Sequence, residues 1–202
     1  SLDTLLHPTL DEKSSINVIA NGLPASPGAA SGKVVFTSEE AERLTGMMQD
    51  TILVRVETSP EDIQGMHAAK GILTARGGMT SHAAVVARGM GRPCVSGSSE
   101  IDINYENKSF KTSSIEIKEG EVITIDGSTG RIISGSVATV KPEISGDFSK
   151  LMSWADSFRK LNIRTNSETP KDTKTAKDFG AEGIGLCRTE HMFFDEERIL
   201  SV

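Results

Sequence analysis

Short apolar runs alternate with helical patterns between residues 51 and 97. The runs "TILVRVE" (51–57), "GILTA" (71–75) and "PCVSG" (93–97) are typical of strands, since each is short, apolar and bounded by turn residues. Two segments with helical patterns, 59–71 and about 81–90, separate them. This alternation predicts a compact α/β domain.

Capping residues mark the ends of the predicted helices. Ser59 precedes Pro60 and two acidic residues, an order that suits the positive end of a helix. Gly91 follows the next helix and is expected to end it. An earlier helix is predicted over 38–48, with Ser38 as its N-cap.

Strand patterns flank the alternating region on both sides. Residues 16–36 contain two apolar runs separated by Gly, Pro, Ala and Ser, which predicts a strand, a long turn and a strand. Apolar and polar residues alternate over 109–137. The alternation is interrupted at Gly120 and at Gly127, which predicts hairpins. The predicted domain therefore extends over 16–140.

The rest of the chain divides into three predicted segments. Residues 1–15 are mixed and polar, as in a lead-in or linker. Residues 141–162 contain a linker helix whose apolar spacing predicts packing on a neighbour. Residues 163–202 begin with a strand, a helix and a strand, with Thr169 as the helix cap and Gly180 as its end.

The strand–helix–strand pattern of this last segment implies a parallel pair of strands. One such unit cannot bury both faces of a parallel sheet. We therefore expect the chain to be a fragment cut just inside a larger α/β domain.

Charge and composition argue against several classes of function. The formal net charge is −6, whereas sequence-independent nucleic-acid binding requires a basic surface. No apolar run approaches the length of a membrane span. The two cysteines, Cys94 and Cys187, lie too far apart for a disulfide framework or a metal motif, which favours a reducing, cytoplasmic setting. We expect no nucleic-acid partner and no membrane partner.

The turn before the helix at 81–90 carries His82. A helix that begins near Ser81 leaves its first backbone N–H groups unpaired, and these groups and the helix dipole favour an anion. Gly77 and Gly78 let another molecule come close, and the hydroxyls of Thr80 and Ser81 add donors. The pattern predicts a phosphate cradle with an imidazole inside it.

His82 is the candidate nucleophile of this cradle. A neutral imidazole can attack a phosphoryl group to give a phosphohistidine. A lone histidine at a helix start is more often a cap or a surface residue. Spacing alone leaves both interpretations open.

Other chemistries have weaker support. Ser81 lacks the G-x-S-x-G elbow of a serine nucleophile. His67, His82 and Cys94 match no usual zinc spacing, so no metal site is predicted. The remaining histidines have no predicted catalytic role: His7 and His191.

Several stretches resemble the phosphoenolpyruvate (PEP)-utilising enzymes. The most specific is "GGMTSHAAVVARGMGRPCVSG" (77–97), which resembles the phosphohistidine signature of that family. Four further stretches agree with it: 22–36, 58–78, 120–132 and 180–194.

The resemblance implies a three-layer β/β/α domain over 16–140 that swivels between two remote active sites, with His82 as the phosphoryl carrier. It also implies that 163–202 begins a (β/α)₈ barrel, in which Arg188 holds pyruvate or PEP through its planar guanidinium. A barrel of this kind needs roughly 250 residues, so the substrate site is expected to be incomplete.

Thr80 matches a threonine that a regulatory protein phosphorylates in some members of the family. A phosphate at this position would crowd His82 with negative charge and block transfer. The alternative is that the Thr80 hydroxyl only caps the helix.

The remaining machinery is implied by the resemblance as well. An ATP-grasp nucleotide-binding domain and the rest of the barrel would belong to the same full-length chain, which would form a homodimer. Mg²⁺ would bind mainly through those domains, so none is expected on this chain, which we expect to be inactive alone.

The sequences of the motifs most resemble those of the branch of the family that interconverts ATP, phosphate and pyruvate with AMP, diphosphate and PEP. Two other branches remain open, one releasing phosphate with water and one passing the phosphoryl group to a small carrier protein. An alternative of another class is a catalytically silent module whose glycine loop only binds an anion.

Overall fold

A computed structural model describes residues 7–11, 16–140, 146–178, 180–187 and 189. The chain divides into two compact units, residues 1–143 and 144–202. No helix in the described part is long and apolar enough to span a membrane.

The first unit is built mainly from strands. Its strands are, in chain order, β1 (Thr9–Leu10), β2 (Val18–Asn21), β3 (Leu23–Ser26), β4 (Ala29–Val35), β5 (Thr51–Arg55), β6 (Gly71–Thr74), β7 (Cys94–Ser96), β8 (Asp102–Asn104), β9 (Ser109–Lys111), β10 (Glu116–Lys118), β11 (Val122–Asp126), β12 (Arg131–Ser134) and β13 (Thr139–Val140). Its helices are α1 (Ser38–Gly46), α2 (Ile63–Ala68) and α3 (His82–Met90), with a 3₁₀ turn at Pro60–Asp62 before α2.

One eight-stranded sheet organises this unit, in the order β2-β12-β11-β4-β5-β6-β7-β3. Its middle strands, β4 to β7, run parallel, and the outer pairs are antiparallel. Strands β8, β9 and β10 form a separate antiparallel sheet, and β1 pairs with β13.

Alternate residues of the central strands face opposite sides of the large sheet. Ile52 and Val54 pack in one cluster with Phe110 of the three-stranded sheet. Leu53 packs in the other cluster with helix residues such as Ala84. Full burial of such an aliphatic side chain contributes about 1.5–3 kcal/mol. The predicted three-layer β/β/α arrangement is confirmed: small sheet, large sheet, helices.

Residues 16–36 form three strands, so the prediction of two strands and a long turn was wrong. After β2, Gly22 turns the chain, and β3 pairs with β7 at the opposite edge of the large sheet from β2. A Cβ on Gly22 would lie 2.7 Å from Val95, which shows how closely the turn crosses β7. Apolar spacing alone does not reveal such a crossing.

Helix α1 begins one residue earlier than its predicted cap implied. The N-cap is Thr37, whose hydroxyl accepts the N–H of Glu40 at 3.2 Å, so the prediction of Ser38 was wrong. Ser38 is buried, and its hydroxyl donates to Asp62 Oδ1 at 2.9 Å. Thr37 and Ser38 both carry a hydroxyl that can cap a helix. Their different partners depend on tertiary contacts, which the local sequence does not show.

The break at Gly127 forms the predicted hairpin, since β11 and β12 pair antiparallel around it. The break at Gly120 does not. Strand β10 pairs with β9, whereas β11 pairs with β12 and β4, so Gly120 joins two different sheets. Both turns contain a glycine. The sequence does not specify with which strands the segments on either side of each glycine pair.

The second unit contains α4 (Gly146–Phe158), β14 (Arg164–Asn166), α5 (Pro170–Asp178) and β15 (Gly183–Leu186). The predicted strand–helix–strand pattern is confirmed, because β14 and β15 pair in parallel. The hydroxyl of Thr169 accepts the N–H of Asp172 at the start of α5, and Gly180 has a φ of +91° after its end. Arg159 forms ion pairs with Asp156 and Glu182.

The apolar residues of α4 do not behave as predicted. All of its described side chains, from residue 150 to 158, are exposed, so the prediction that they pack on a neighbour is wrong for the described part of the chain. A helical period shows that a face exists, but it does not show what covers that face. The domain limits suggested by the sequence stay a prediction.

Candidate functional site

His82 is the first residue of α3 and follows β6 through a glycine turn. Strands β5 and β6 are parallel neighbours, so the loops after their carboxyl ends, 56–59 and 75–81, leave the same edge of the sheet. Across this edge, Oγ1 of Thr58 lies 3.0 Å from Nδ1 of His82. One ring nitrogen is thus held by the neighbouring loop.

Ser81 is the N-cap of α3. Its hydroxyl accepts the N–H of Ala84 at 3.3 Å, and its own N–H donates to the carbonyl of Gly78 at 3.0 Å. At the other end, Gly91 has a φ of +63°, the left-handed conformation that ends many helices. The predicted helix bounds are confirmed, and the alternative of Thr80 as the cap is wrong.

The start of α3 keeps donors for an anion. Of its first-turn amides, those of Ala84 and Ser81 have acceptors within the chain. The amides of His82 and Ala83 have no acceptor among the described residues, and they point along the positive end of the helix dipole. An anion bound at this helix start would meet these two groups.

The four residues of the predicted cradle lie around the start of α3, and they differ in backbone conformation and exposure. Gly77 has a φ of +109°, which glycine adopts without strain. A Cβ on Gly78 would meet nothing within 4 Å, so the space above it is open. Thr80 is exposed, whereas Ser81 is half-buried with its hydroxyl engaged in the cap. The structure brings all four to one turn, and their roles toward a ligand stay a prediction.

Buried hydroxyls support this turn from below. The Thr74 hydroxyl donates to the carbonyl of Arg76 at 2.8 Å and contacts Ser96 Oγ at 3.1 Å. Ser96 Oγ in turn lies 3.3 Å from Ser81 Oγ. The end of β7 therefore contacts the helix cap directly, and the end of β6 is connected to it through Ser96.

Arg88 hydrogen-bonds to the outer side of the same turn. Its guanidinium donates to the carbonyl of Met79 and, at 3.0 Å, to the carbonyl of Ala84. The turn is thus held from within its own helix as well as from the sheet.

Sequence reasoning did not select Thr58 or Arg88. The available signal for Thr58 was its position just after β5, because carboxyl ends of adjacent parallel strands meet at one edge. The signal for Arg88 was its place in the last turn of the helix that follows the glycines.

Other candidates are placed as follows. Arg188 and His191 lie outside the described residues. No group of three or more His, Cys, Asp or Glu residues in the described ranges could hold a metal ion. Cys94 is buried, and this burial raises the pKa of its thiol to about 12, which disfavours the thiolate that a metal needs.

Two family models match this chain. Residues 47–130 match a family described as "PEP-utilising enzyme, mobile domain", and residues 142–202 match "PEP-utilising enzyme, PEP-binding domain". The first match contains both Thr58 and His82.

Three curated relatives illustrate the similarity. The chain is 59% identical over 199 residues to pyruvate, phosphate dikinase of Rhizobium meliloti, covering 98% of this chain and 22% of that protein. It is 58% identical over 204 residues to the Clostridium symbiosum enzyme of that name, covering 100% and 23%. It is 56% identical over 204 residues to pyruvate, phosphate dikinase 1 of Oryza sativa, covering 100% and 22%. The chain therefore spans less than a quarter of the length of these relatives.

Proposed function

We propose that this chain, which belongs to the family of PEP-utilising enzymes, carries a phosphoryl group on His82 for a pyruvate, phosphate dikinase reaction. That reaction interconverts ATP, phosphate and pyruvate with AMP, diphosphate and PEP. The observation that carries the proposal is the hydrogen bond between Thr58 Oγ1 and His82 Nδ1 at 3.0 Å, placed at a helix start that has free amides.

The hydrogen bond assigns different tasks to the two ring nitrogens. If Nδ1–H donates to Thr58 Oγ1, the lone pair is on Nε2, and Nε2 is the nucleophile. In the PEP direction, Nε2 forms a bond to phosphorus while the bond from phosphorus to the enol oxygen breaks. The enolate that leaves takes up a proton and becomes pyruvate. The phosphorylated ring keeps its Nδ1–H on Thr58.

The helix start stabilises the phosphoryl group after transfer. The amides of His82 and Ala83 point toward its oxygens, and the dipole of α3 favours its negative charge. Open space above Gly78 lets a substrate approach from outside. Preorganised donors of this kind act without further rearrangement, which is the main physical source of such catalysis.

The groups at the start of α3 do not fit a magnesium site. Groups at the helix start are N–H and hydroxyl donors, whereas Mg²⁺ prefers carboxylate and phosphate oxygens. We therefore assign Mg²⁺, the ATP-grasp nucleotide-binding domain and the remainder of the barrel to the longer protein that these relatives represent. No step above depends on the metal. The homodimer and the cytoplasmic setting are proposals of the same kind.

Two further residues complete the proposal. Thr80 is exposed two positions before His82, so a kinase could reach it, and a phosphate there would repel the incoming phosphoryl group. Arg188 would hold the carboxylate or phosphate of PEP or pyruvate through paired N–H donors. Its position is outside the described residues, and the proposal for it depends on the family motif.

The test uses a chimera in which this chain replaces the matching segment of the Clostridium symbiosum relative. The chimera is mixed with PEP and Mg²⁺, and its intact mass is measured. We expect a gain of one phosphoryl group that is labile in acid and absent in His82→Ala. His67→Ala is the matched control and should gain the group normally.

Two outcomes would count against the proposal. A folded chimera that gains no phosphoryl group would contradict the carrier function and favour a silent anion-binding module. Phosphoryl gain that persists in His82→Ala would place the group on another residue and contradict His82 as the carrier.

A further inference from the structure

The loop that carries Thr58, residues 56–59, is fixed at its start by a distant side chain. The N–H of Val56 donates to the hydroxyl of Tyr105 at 2.8 Å, across 49 positions of sequence. Tyr105 directly follows β8 of the three-stranded sheet. A hydroxyl from a different layer of the domain therefore holds the point where the loop leaves β5.

A buried carboxylate fixes the end of the same loop. Oδ2 of Asp62 accepts the N–H of Ser59 at 2.9 Å and faces its hydroxyl at 3.3 Å. Oδ1 accepts the hydroxyl of Ser38 at 2.9 Å and lies 3.4 Å from Nε of Arg55. Asp62 is only 5% exposed.

Arg55 joins the two anchors into one network. Its guanidinium lies 5.4 Å from the ring centroid of Tyr105 and donates to the carbonyl of Phe36 at 3.0 Å. A buried carboxylate is costly unless it is paired and hydrogen-bonded, and the partners of Asp62 belong to α1, β5 and the Thr58 loop. The hydrogen bonds of Tyr105 and Asp62 thus hold both ends of the loop that faces His82.

We propose that Asp62 and Tyr105 are positioning residues that fix the two ends of the loop 56–59 and thereby keep the Thr58 hydroxyl on Nδ1 of His82. The inference rests on the proposed function of His82 as the phosphoryl carrier. Neither residue hydrogen-bonds to the histidine in the described part of the chain, and each acts through Thr58. Small displacements of a reacting group are costly, since about 1 Å can lower a rate about a hundredfold.

The first experiment needs no phosphoryl transfer. Long-range ¹H–¹⁵N NMR of the 202-residue chain reports which ring nitrogen of His82 carries the proton. We expect predominantly Nδ1–H in the parent chain and a mixture of tautomers in Tyr105→Phe and Asp62→Asn. Tyr105→Phe keeps the ring that contacts Arg55 and removes only the hydroxyl, so it tests the anchor without removing a packed side chain.

The matched control is Thr124→Val. Thr124 is buried in β11, and its hydroxyl accepts the N–H of Val137 and donates to the carbonyl of Gly135. This variant loses a buried hydroxyl that has no bond to the Thr58 loop. It should lower stability and leave the His82 signals unchanged. Equal changes in control and test variants would overturn the proposal.

A second experiment measures coupling in the chimera. Tyr105→Phe and Asp62→Asn should each slow phosphoryl gain from PEP by about tenfold. In a Thr58→Val background the same changes should have no further effect, because their route to the ring is already lost. Additive losses would overturn the proposal. A parent chimera without transfer would contradict the function of His82, and the NMR result would still decide the positioning.

Discussion

Nδ1 of His82 lies 3.0 Å from Oγ1 of Thr58, a residue 24 positions earlier that follows the adjacent parallel strand. The contact joins the two loops that leave one edge of the large sheet. Under the proposed function, Nε2 is the ring nitrogen available to a phosphoryl donor, at a helix start where the amides of His82 and Ala83 have no acceptor among the described residues. In this proposal the loop after β5 orients the ring, and the start of α3 stabilises the charge of the phosphoryl group.

Removal of the Thr58 hydroxyl should slow the transfer. Thr58→Val keeps the shape of the side chain and loses a hydrogen bond of about 1 kcal/mol, together with the fixed ring orientation, so we expect a loss of about tenfold in rate. Thr58→Ser should retain most of the rate. Rapid-quench measurement of phosphoryl gain in the chimera checks this, and a Thr58→Val rate equal to the parent rate would contradict it.

Substitution by alanine should have different effects at two glycines near the site. A Cβ on Gly97 would lie 2.2 Å from the carbonyl oxygen of Gly77, and Gly97 has a φ of +63°, so Gly97→Ala should cost more than about 1 kcal/mol of unfolding free energy. Gly78→Ala meets no atom within 4 Å and should be as stable as the parent. Its methyl group should nevertheless slow transfer if substrate approaches over this turn. Urea denaturation and the transfer assay separate the two effects.

The cap of α1 can be tested through adjacent hydroxyls. Thr37→Ala removes the N-cap and should cost about 1 kcal/mol. Ser38→Ala removes a buried donor to Asp62 and should cost about 1–3 kcal/mol, since the carboxylate loses a partner. Chemical denaturation of both variants checks the order, and a larger loss for Thr37→Ala would contradict the assignment.

The two thiols should differ in reactivity. Burial raises the pKa of Cys94 to about 12, so its thiol stays protonated at mildly alkaline pH. Cys187 is half-buried and free. We expect iodoacetamide to modify Cys187 in the folded chain, with Cys94 reacting only after unfolding. Peptide mapping identifies the modified residue, and rapid modification of Cys94 in the native chain would contradict its placement.

Local signals in the sequence predicted α3 well, because its ends depend on neighbouring residues. Ser81 caps the helix through Ala84, three positions away, and Gly91 ends it through its own backbone conformation. The glycine turn and His82 could therefore be placed without a structure. The three layers followed from the family resemblance and from strand patterns.

Contacts between distant segments escaped the same reasoning. Thr58 reaches His82 only because β5 and β6 are parallel neighbours, and Tyr105 reaches the Thr58 loop from another sheet. Thr37 and Ser38 carry the same functional group, and only the position of Asp62 decides which one is buried. Such assignments depend on strand pairing, which short-range patterns do not specify.

The most direct test of the account is the nitrogen that carries the phosphoryl group. The chimera, labelled with ¹⁵N at its histidine rings, is phosphorylated with PEP, and NMR coupling between ³¹P and ring nitrogens is measured for His82. The account predicts phosphorus on Nε2, with the proton retained on Nδ1 beside Thr58. Phosphorus on Nδ1, or on a histidine other than His82, would contradict it.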